Sequence, residues 1–246
     1  MSLAPPEGNG PLRRERLRTA RLYLCCGARP RDEDPEALLR SALGGGVDIL
    51  QIREKEMGRA EIERSAGTFR RVCDTFSTLF IVNDDPDLAR VCDADGVHVG
   101  QDDTSAEQAR EILGPDAIIG LSTHSEEQIA AATERPVDYI SVGPIWETPT
   151  KAGRPAVGLE LIEHAAEHSA HPFFAIGGID AGNAEQAVRA GARRMCVVRA
   201  VRDAADPGAA AAELRRAFTV AEGAERSPQD ALLDQPAPWR GVAPGG

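Results

Sequence analysis

Gly44-Gly45-Gly46-Val47-Asp48-Ile49-Leu50-Gln51-Ile52-Arg53-Glu54-Lys55 decides how the chain folds. The glycines close a helical stretch that Pro35 opens, since glycine supplies the backbone freedom a helix end needs. The chain then passes at once into a short aliphatic run, and that run ends on polar and charged side chains. The phrase returns as Arg135-Pro136-Val137-Asp138-Tyr139-Ile140-Ser141 and as Ala190-Gly191-Ala192-Arg193-Arg194-Met195-Cys196. A helix end delivered directly into a strand, repeated along a chain, is the sequence form of a β–α series.

Working outward, eight such runs occur: Arg21–Cys26, Val47–Arg53, Thr78–Asn83, Gly96–Gly100, Ile118–Ser122, Tyr139–Ile145, Phe173–Ile179 and Met195–Ala200. Each is long enough for a strand and too short for a buried helix. Each precedes a segment with helical spacing: Pro35–Leu43, Gly58–Phe76, Pro86–Cys92, Ser105–Leu113, Ser125–Thr133, Leu159–Glu167, Ala184–Ala190 and Pro207–Val220. Asp85 is placed as an N-cap, and Ser125 with Gln128 has capping-box spacing. An open doubly wound sheet usually uses fewer strands. The count of eight therefore predicts an α/β fold of the (β/α)8 TIM-barrel type over residues 17–222. Residues 1–16 are expected to be disordered or to form a short leading helix. Residues 223–246 carry four prolines and no apolar periodicity, and are expected to be a disordered tail.

Composition narrows the function. Hydrophobic residues make up 42 % of the 246 residues and aromatics only 4 %, so the core must be built from aliphatic side chains. The net charge of −11 has the wrong sign for a nucleic-acid binder or for an anionic membrane surface. An anionic ligand must then be held by a local cluster of basic groups. The five cysteines are odd in number, lack a C-x-x-C and sit in apolar segments. They read as reduced thiols of a cytoplasmic protein. No signal core or run of ~18 apolar residues suggests a membrane span.

In a barrel the active site forms where the strands end. After the second run, alternation puts Gln51, Arg53 and Lys55 on one side, an amide and two cations suited to a diphosphate. A solvated charged loop is the bland reading of the same residues. After the third and fourth runs come Asn83-Asp84-Asp85 and Gly100-Gln101-Asp102-Asp103. One carboxylate from each loop would suffice for Mg2+, which shares itself with water and phosphate. Asp84 and Asp103 are better placed for this, while Asp85 and Asp102 also serve as N-caps. Ser122 follows the fifth run, with His124 as a lone imidazole of structural or functional use. The sixth run leads into a loop from Gly143 through Thr148, Pro149, Thr150 and Lys151 to Pro155. The seventh ends on Gly177-Gly178, which either admits an anion to backbone N–H groups or makes a plain turn. The eighth ends on Val198-Arg199.

These residues, in this order, resemble the thiamine-phosphate synthase family. The matching phrases are VDILQIREK, FIVNDDPDLA, ADGVHVGQDD, IIGLSTHS, DYISVGPIWETPTK and AIGGI followed by NAEQAVRAGA, spread from about Arg21 to about Val220. The resemblance implies a transferase of thiamine biosynthesis. It joins a pyrimidine diphosphate to a thiazole phosphate by Mg2+-assisted, dissociative loss of pyrophosphate. It implies that Gln51, Ile52, Arg53, Glu54, Lys55, Asn83, Ser122 and Lys151 bind the pyrimidine diphosphate. Arg53, Lys55, Ser122 and Lys151 would be catalytic, and Asp84 and Asp103 would bind Mg2+. Thr148, Pro149, Thr150, Gly178, Val198 and Arg199 would face the thiazole phosphate. Many relatives carry Ser where this chain has Arg199, which bears on the preferred thiazole form. The partners implied are small phosphorylated substrates, with a homo-oligomer left open. A thiazole tautomerase-like relative, another phosphate-binding barrel isomerase and a non-catalytic binder of thiamine intermediates are the competing readings. Removal of residues 223–246 is expected to leave turnover within about two-fold; a larger loss in the truncated chain would give the tail a function.

Overall fold

In a computed structural model, which describes residues 9–149 and 155–219, eight parallel strands close into a ring in sequence order. They are β1 (Leu22–Cys26), β2 (Ile49–Ile52), β3 (Leu79–Asn83), β4 (Gly96–Val99), β5 (Ile118–Thr123), β6 (Tyr139–Val142), β7 (Phe173–Ile176) and β8 (Met195–Val197). The ring shuts where Leu22 of β1 stands opposite Met195 of β8. Helices on the outside are α1 (Gly10–Thr19), α2 (Glu36–Gly44), α3 (Arg59–Phe76), α4 (Pro86–Val91), α5 (Ala106–Leu113), α6 (Glu126–Ala132), α7 (Glu160–His168), α8 (Ala184–Arg189), α9 (Arg199–Arg202) and α10 (Pro207–Arg216). The expected leading helix starts at Gly10, ahead of the boundary drawn at residue 17 from composition. The expectations for residues 1–8 and 220–246 lie outside the described residues.

Three of the eight runs end three residues earlier as strands than as apolar patterns. The sixth and seventh stop at Val142 and Ile176 because Gly143 and Gly177, at φ of 154° and 103°, turn the backbone out of the ladder. The eighth stops at Val197, and Arg199 and Ala200 begin α9 instead. The helix starts follow cap chemistry. Asp85 accepts from Leu88 N–H at 2.8 Å. Ser105, rather than Asp102, caps α5, and with Gln108 it makes the full reciprocal box. Ser125 caps α6, but the Gln128 side chain accepts from His124 N–H, so that box is incomplete.

The aspartates of Val47-Asp48 and Val137-Asp138, and of Ala94-Asp95, have a common physical purpose. Asp48, Asp95 and Asp138 each precede an even-numbered strand and accept from a backbone N–H of the strand before. Asp48 takes Leu22 N–H at 3.0 Å, Asp95 takes Phe80 N–H at 2.9 Å and Asp138 takes Ile119 N–H at 2.8 Å. Each also pairs with an arginine from an outer helix, Arg215, Arg70 and Arg110 respectively, at 2.7, 2.9 and 2.7 Å. From beneath, α1 adds Arg13 to Asp95 and Arg14 to Asp138 at 2.8 and 2.9 Å. Carboxylates thus lock strand to strand and helix to barrel at the N-terminal end.

Strand alternation sorts the remaining side chains into two cores. Leu24, Leu50, Ile52, Phe80, Val82, Val97, Ile119 and Ile140 pack outward against the helices. Tyr23, Cys25, Ile49, Leu79, Ile81, Ile118, Tyr139, Phe174 and Cys196 point inward, above a floor of Leu17 and Ala20. Both tyrosines of the chain lie here. Phe174 meets Tyr23 and Tyr139 edge-on, with ring centres 5.3 and 5.4 Å away.

Asp95 is 5 % exposed and joins four elements. Its replacement by Ala takes a carboxylate from two partly buried arginines, Arg13 and Arg70, and an acceptor from Phe80 N–H, a loss of about 3 kcal/mol or more. Asp95→Ala is expected to lower the thermal midpoint by roughly 6–12 °C, with turnover at low temperature near wild type because the strand ends are untouched. An unchanged midpoint in a thermal melt would contradict this role.

Candidate functional site

A cavity of about 380 Å3 opens at the C-terminal ends of the strands. Gln51, Arg53, Asn83, Ser122, Thr148, Gly178, Val198 and Arg199 all line it. They come from β2, β3, β5 and the loops after β6, β7 and β8, so residues distant in sequence converge on one space. Arg53 and Asn83 are half-buried and Arg199 is exposed, which gives the cavity a cationic wall open to solvent.

Other expected site residues stand elsewhere. Lys55 lies past the end of β2 and faces a second cavity, of about 400 Å3, that shares Arg53 and Asp203 with the first. Its Nζ lies 3.6 Å from Asp84 Oδ2. Glu54 also faces the second cavity and clamps its own loop, accepting from the N–H groups of Ala28, Lys55 and Glu56. Ile52 packs outward among the helices, so only its backbone is available at the mouth. Pro149 is exposed and does not line either cavity. Thr150 and Lys151 lie outside the described residues.

The two glycines after β7 serve loop packing. A Cβ on Gly177 would meet Pro144 Cα at 2.5 Å, and one on Gly178 would meet Trp146 Cβ at 2.7 Å. The bare backbone lets Ile145 and Trp146 donate to Ile176 and Gly177 carbonyls at 2.9 and 3.0 Å. The loop after β6 is thereby seated beside the cavity. His124 has a similar use, with Nδ1 against the Gly143 carbonyl.

Asp84 holds a left-handed backbone, φ 64°, directly after Asn83. Burial, then the hydrogen bond and charge of the neighbouring Asp103 carboxylate, raise its pKa to about 6; Lys55 and Arg53 act in the other direction. Asp103 is itself set by Gly100 N–H, which donates to it at 2.9 Å. Among the described residues no three His, Cys, Asp or Glu side chains gather as a complete metal cage. A pair of crowded carboxylates fits a hard cation such as Mg2+, which takes its remaining oxygens from water and phosphate.

At the floor of the cavity a buried polar chain joins Gln51 to Ser122 through Tyr23, Tyr139 and His98, three residues that sequence reading did not single out. Cys25 Sγ donates to Gln51 Oε1 at 3.0 Å, and Gln51 Nε2 donates to the Tyr23 hydroxyl at 2.7 Å. The Tyr23 and Tyr139 hydroxyls are 3.1 Å apart. His98 bridges Tyr139 and Ser122, with Nδ1 and Nε2 each 3.0 Å from a hydroxyl oxygen. Burial drives both tyrosine pKa values well above the usual range, so both hydroxyls keep their protons. The available signal was strand parity: His98 shares the inward side of β4 with Gly96.

The sequence matches the family described as thiamine monophosphate synthase over residues 22–201. It is 49 % identical over 210 residues to the thiamine-phosphate synthase of Saccharopolyspora erythraea, covering 82 % of this chain and 94 % of the relative. It is 48 % identical over 213 residues to the thiamine-phosphate synthase of Thermobifida fusca, covering 86 % and 98 %. The solved thiamine phosphate pyrophosphorylase from Pyrococcus furiosus superposes with a TM-score of 0.76 at 33 % identity, covering 85 % of this chain and 99 % of that one.

Asp84 supplies a test of the site's electrostatics. Its folded-state pKa of about 6 lies above the ordinary 3.8, so the folded chain binds more protons than the unfolded chain between those values and loses stability as pH rises through that window. Asp84→Asn, which also suits the left-handed backbone, is expected to raise the metal-free thermal midpoint above pH 6 by a few degrees. The difference from wild type should vanish near pH 4. A lower midpoint for the variant at pH 7 would mean that the carboxylate stabilises the metal-free fold.

Proposed function

The chain belongs to the thiamine monophosphate synthase family, and from that premise we propose that it joins 4-amino-2-methyl-5-pyrimidinylmethyl diphosphate to 4-methyl-5-(2-phosphoethyl)thiazole, or its carboxylated tautomer, giving thiamine phosphate and pyrophosphate, with CO2 released in addition from the carboxylated form. The observation that supports this most is the convergence of Gln51, Arg53, Asn83, Ser122 and Arg199 on one cavity. The reaction needs no covalent nucleophile from the protein. The C–O bond to the diphosphate breaks, the leaving group takes the electron pair, and the thiazole nitrogen closes on the pyrimidine methyl cation.

Each residue then has a definite task. Arg53 grips the diphosphate through its planar fork of donors, and Lys55 and Lys151 add point charges. Gln51, Asn83 and Ser122 orient the pyrimidine diphosphate, while the backbone at Ile52 and Glu54 shapes the turn that carries Arg53. Arg199, Val198, Gly178, Thr148, Pro149 and Thr150 receive the thiazole phosphate. Asp84 and Asp103 would hold Mg2+, which when bound would supply positive charge beside the diphosphate. The anionic balance of the chain makes these local cations the source of substrate attraction. We place the reaction in the cytoplasm, where unpaired thiols persist; no helix among the described residues is long and apolar enough to cross a membrane.

Two variants test the assignment. Arg53→Ala is expected to lower kcat/KM by roughly 10²–10³-fold and to weaken pyrophosphate binding measured by calorimetry. Asp84→Ala is expected to abolish the Mg2+ dependence of that binding. Wild-type turnover and pyrophosphate affinity in a folded Arg53→Ala protein would remove Arg53 from the diphosphate site.

A further inference from the structure

The donor order in the buried chain settles how Ser122 points. Gln51 Nε2 donates to the Tyr23 hydroxyl oxygen at 2.7 Å while the Gln51 oxygen faces the Cys25 thiol at 3.0 Å. Tyr23 is 2 % exposed, and its own hydrogen has the Tyr139 oxygen, 3.1 Å away, as acceptor. A buried hydroxyl hydrogen left without an acceptor would cost about 1–3 kcal/mol. Tyr139 then donates to His98 Nδ1 at 3.0 Å. A neutral imidazole that accepts at one nitrogen donates at the other. His98 Nε2 therefore donates to Ser122 Oγ, at 3.0 Å the nearer of two hydroxyls, with Ser141 Oγ at 3.4 Å. Ser141 Oγ donates to the Ser122 oxygen from 3.5 Å. Ser122 receives from below and keeps its hydrogen for the cavity that it lines.

Gly120 reserves the space for this arrangement. A Cβ there would lie 2.2 Å from Tyr139 Cζ and 2.5 Å from His98 Nδ1. Phe174 closes Tyr139 from the other side with its ring edge. The tyrosine and histidine are thus confined on the faces that would let them turn away.

We propose that His98 and Tyr139 are positioning residues. They keep His98 as the Nε2–H tautomer and so aim the Ser122 hydroxyl into the cavity as a donor to an acceptor atom of the pyrimidine diphosphate. The proposal rests on the reading of Ser122 as part of the substrate site. Within it, Ser122 touches substrate, and the histidine and tyrosine act through Ser122.

Two measurements test it. The first uses the wild-type full-length protein with 15N-labelled histidine, the His98 signals being identified by their loss in His98→Gln. Nitrogen shifts with Nε2 protonated are expected, and a protonated Nδ1 in the neutral ring overturns the donor order. The second is a kinetic cycle. Tyr139→Phe is expected to lower kcat roughly ten-fold with KM within about two-fold, and to change kcat by less than about two-fold in a Ser122→Ala background. Additive losses in the cycle overturn the positioning role. Wild-type turnover in Ser122→Ala overturns the underlying site reading, and the proposal with it. The tautomer measurement needs no tyrosine variant, so it decides the matter even if Tyr139→Phe fails to fold.

Discussion

Every second side chain of eight short strands points into an interior that the closed ring shuts off from bulk water. That constraint governs the rest of the molecule. An inward polar group must find a partner inside the barrel or reach its open end. Tyr23, Gln51, His98, Ser122 and Tyr139 do the first by bonding to one another, and Gln51 and Ser122 reach the cavity as well. Arg53 and Asn83, one step further along their strands, do the second and line the cavity. The polar chain and the ligand site are one structure seen at two depths.

The two ends of the barrel divide the work. At the N-terminal end, Asp48, Asp95 and Asp138 meet arginines and backbone donors in matched pairs, so charge is spent on holding strands together. At the C-terminal end charge is left less satisfied. Asp84 crowds Asp103, and Arg199 stays open to solvent. Unrelieved charge is the normal condition of a site built for a charged ligand.

Much of the fold was legible because its signals are local. Eight aliphatic runs, Asp85 and Ser105 as helix starts and the Val-Asp phrase can each be read from a few neighbouring residues. The strand ends were legible for the same reason, and Gln51, Arg53, Asn83, Ser122 and Arg199 do meet at one cavity. What escaped reading depends on closure. Tyr23 and Tyr139 sit in apolar runs and look like core; only the ring brings them to His98 across the interior. Lys55 continues the alternation of Gln51 and Arg53 on paper, but the strand stops at Ile52, and beyond it alternation no longer fixes direction. Asp102 offered itself as a cap, but the helix begins after Ser105, because position relative to the first helical turn is set by three-dimensional geometry.

In the reaction proposed for the cavity, a diphosphate leaves one carbon and a thiazole nitrogen takes its position. The direct measurement is to incubate the full-length protein with the pyrimidine diphosphate, the thiazole phosphate and Mg2+, and to quantify thiamine phosphate and pyrophosphate together. The account predicts equal amounts of both, formed only when both substrates are present. Absence of thiamine phosphate under conditions where the Thermobifida fusca enzyme makes it would contradict the account.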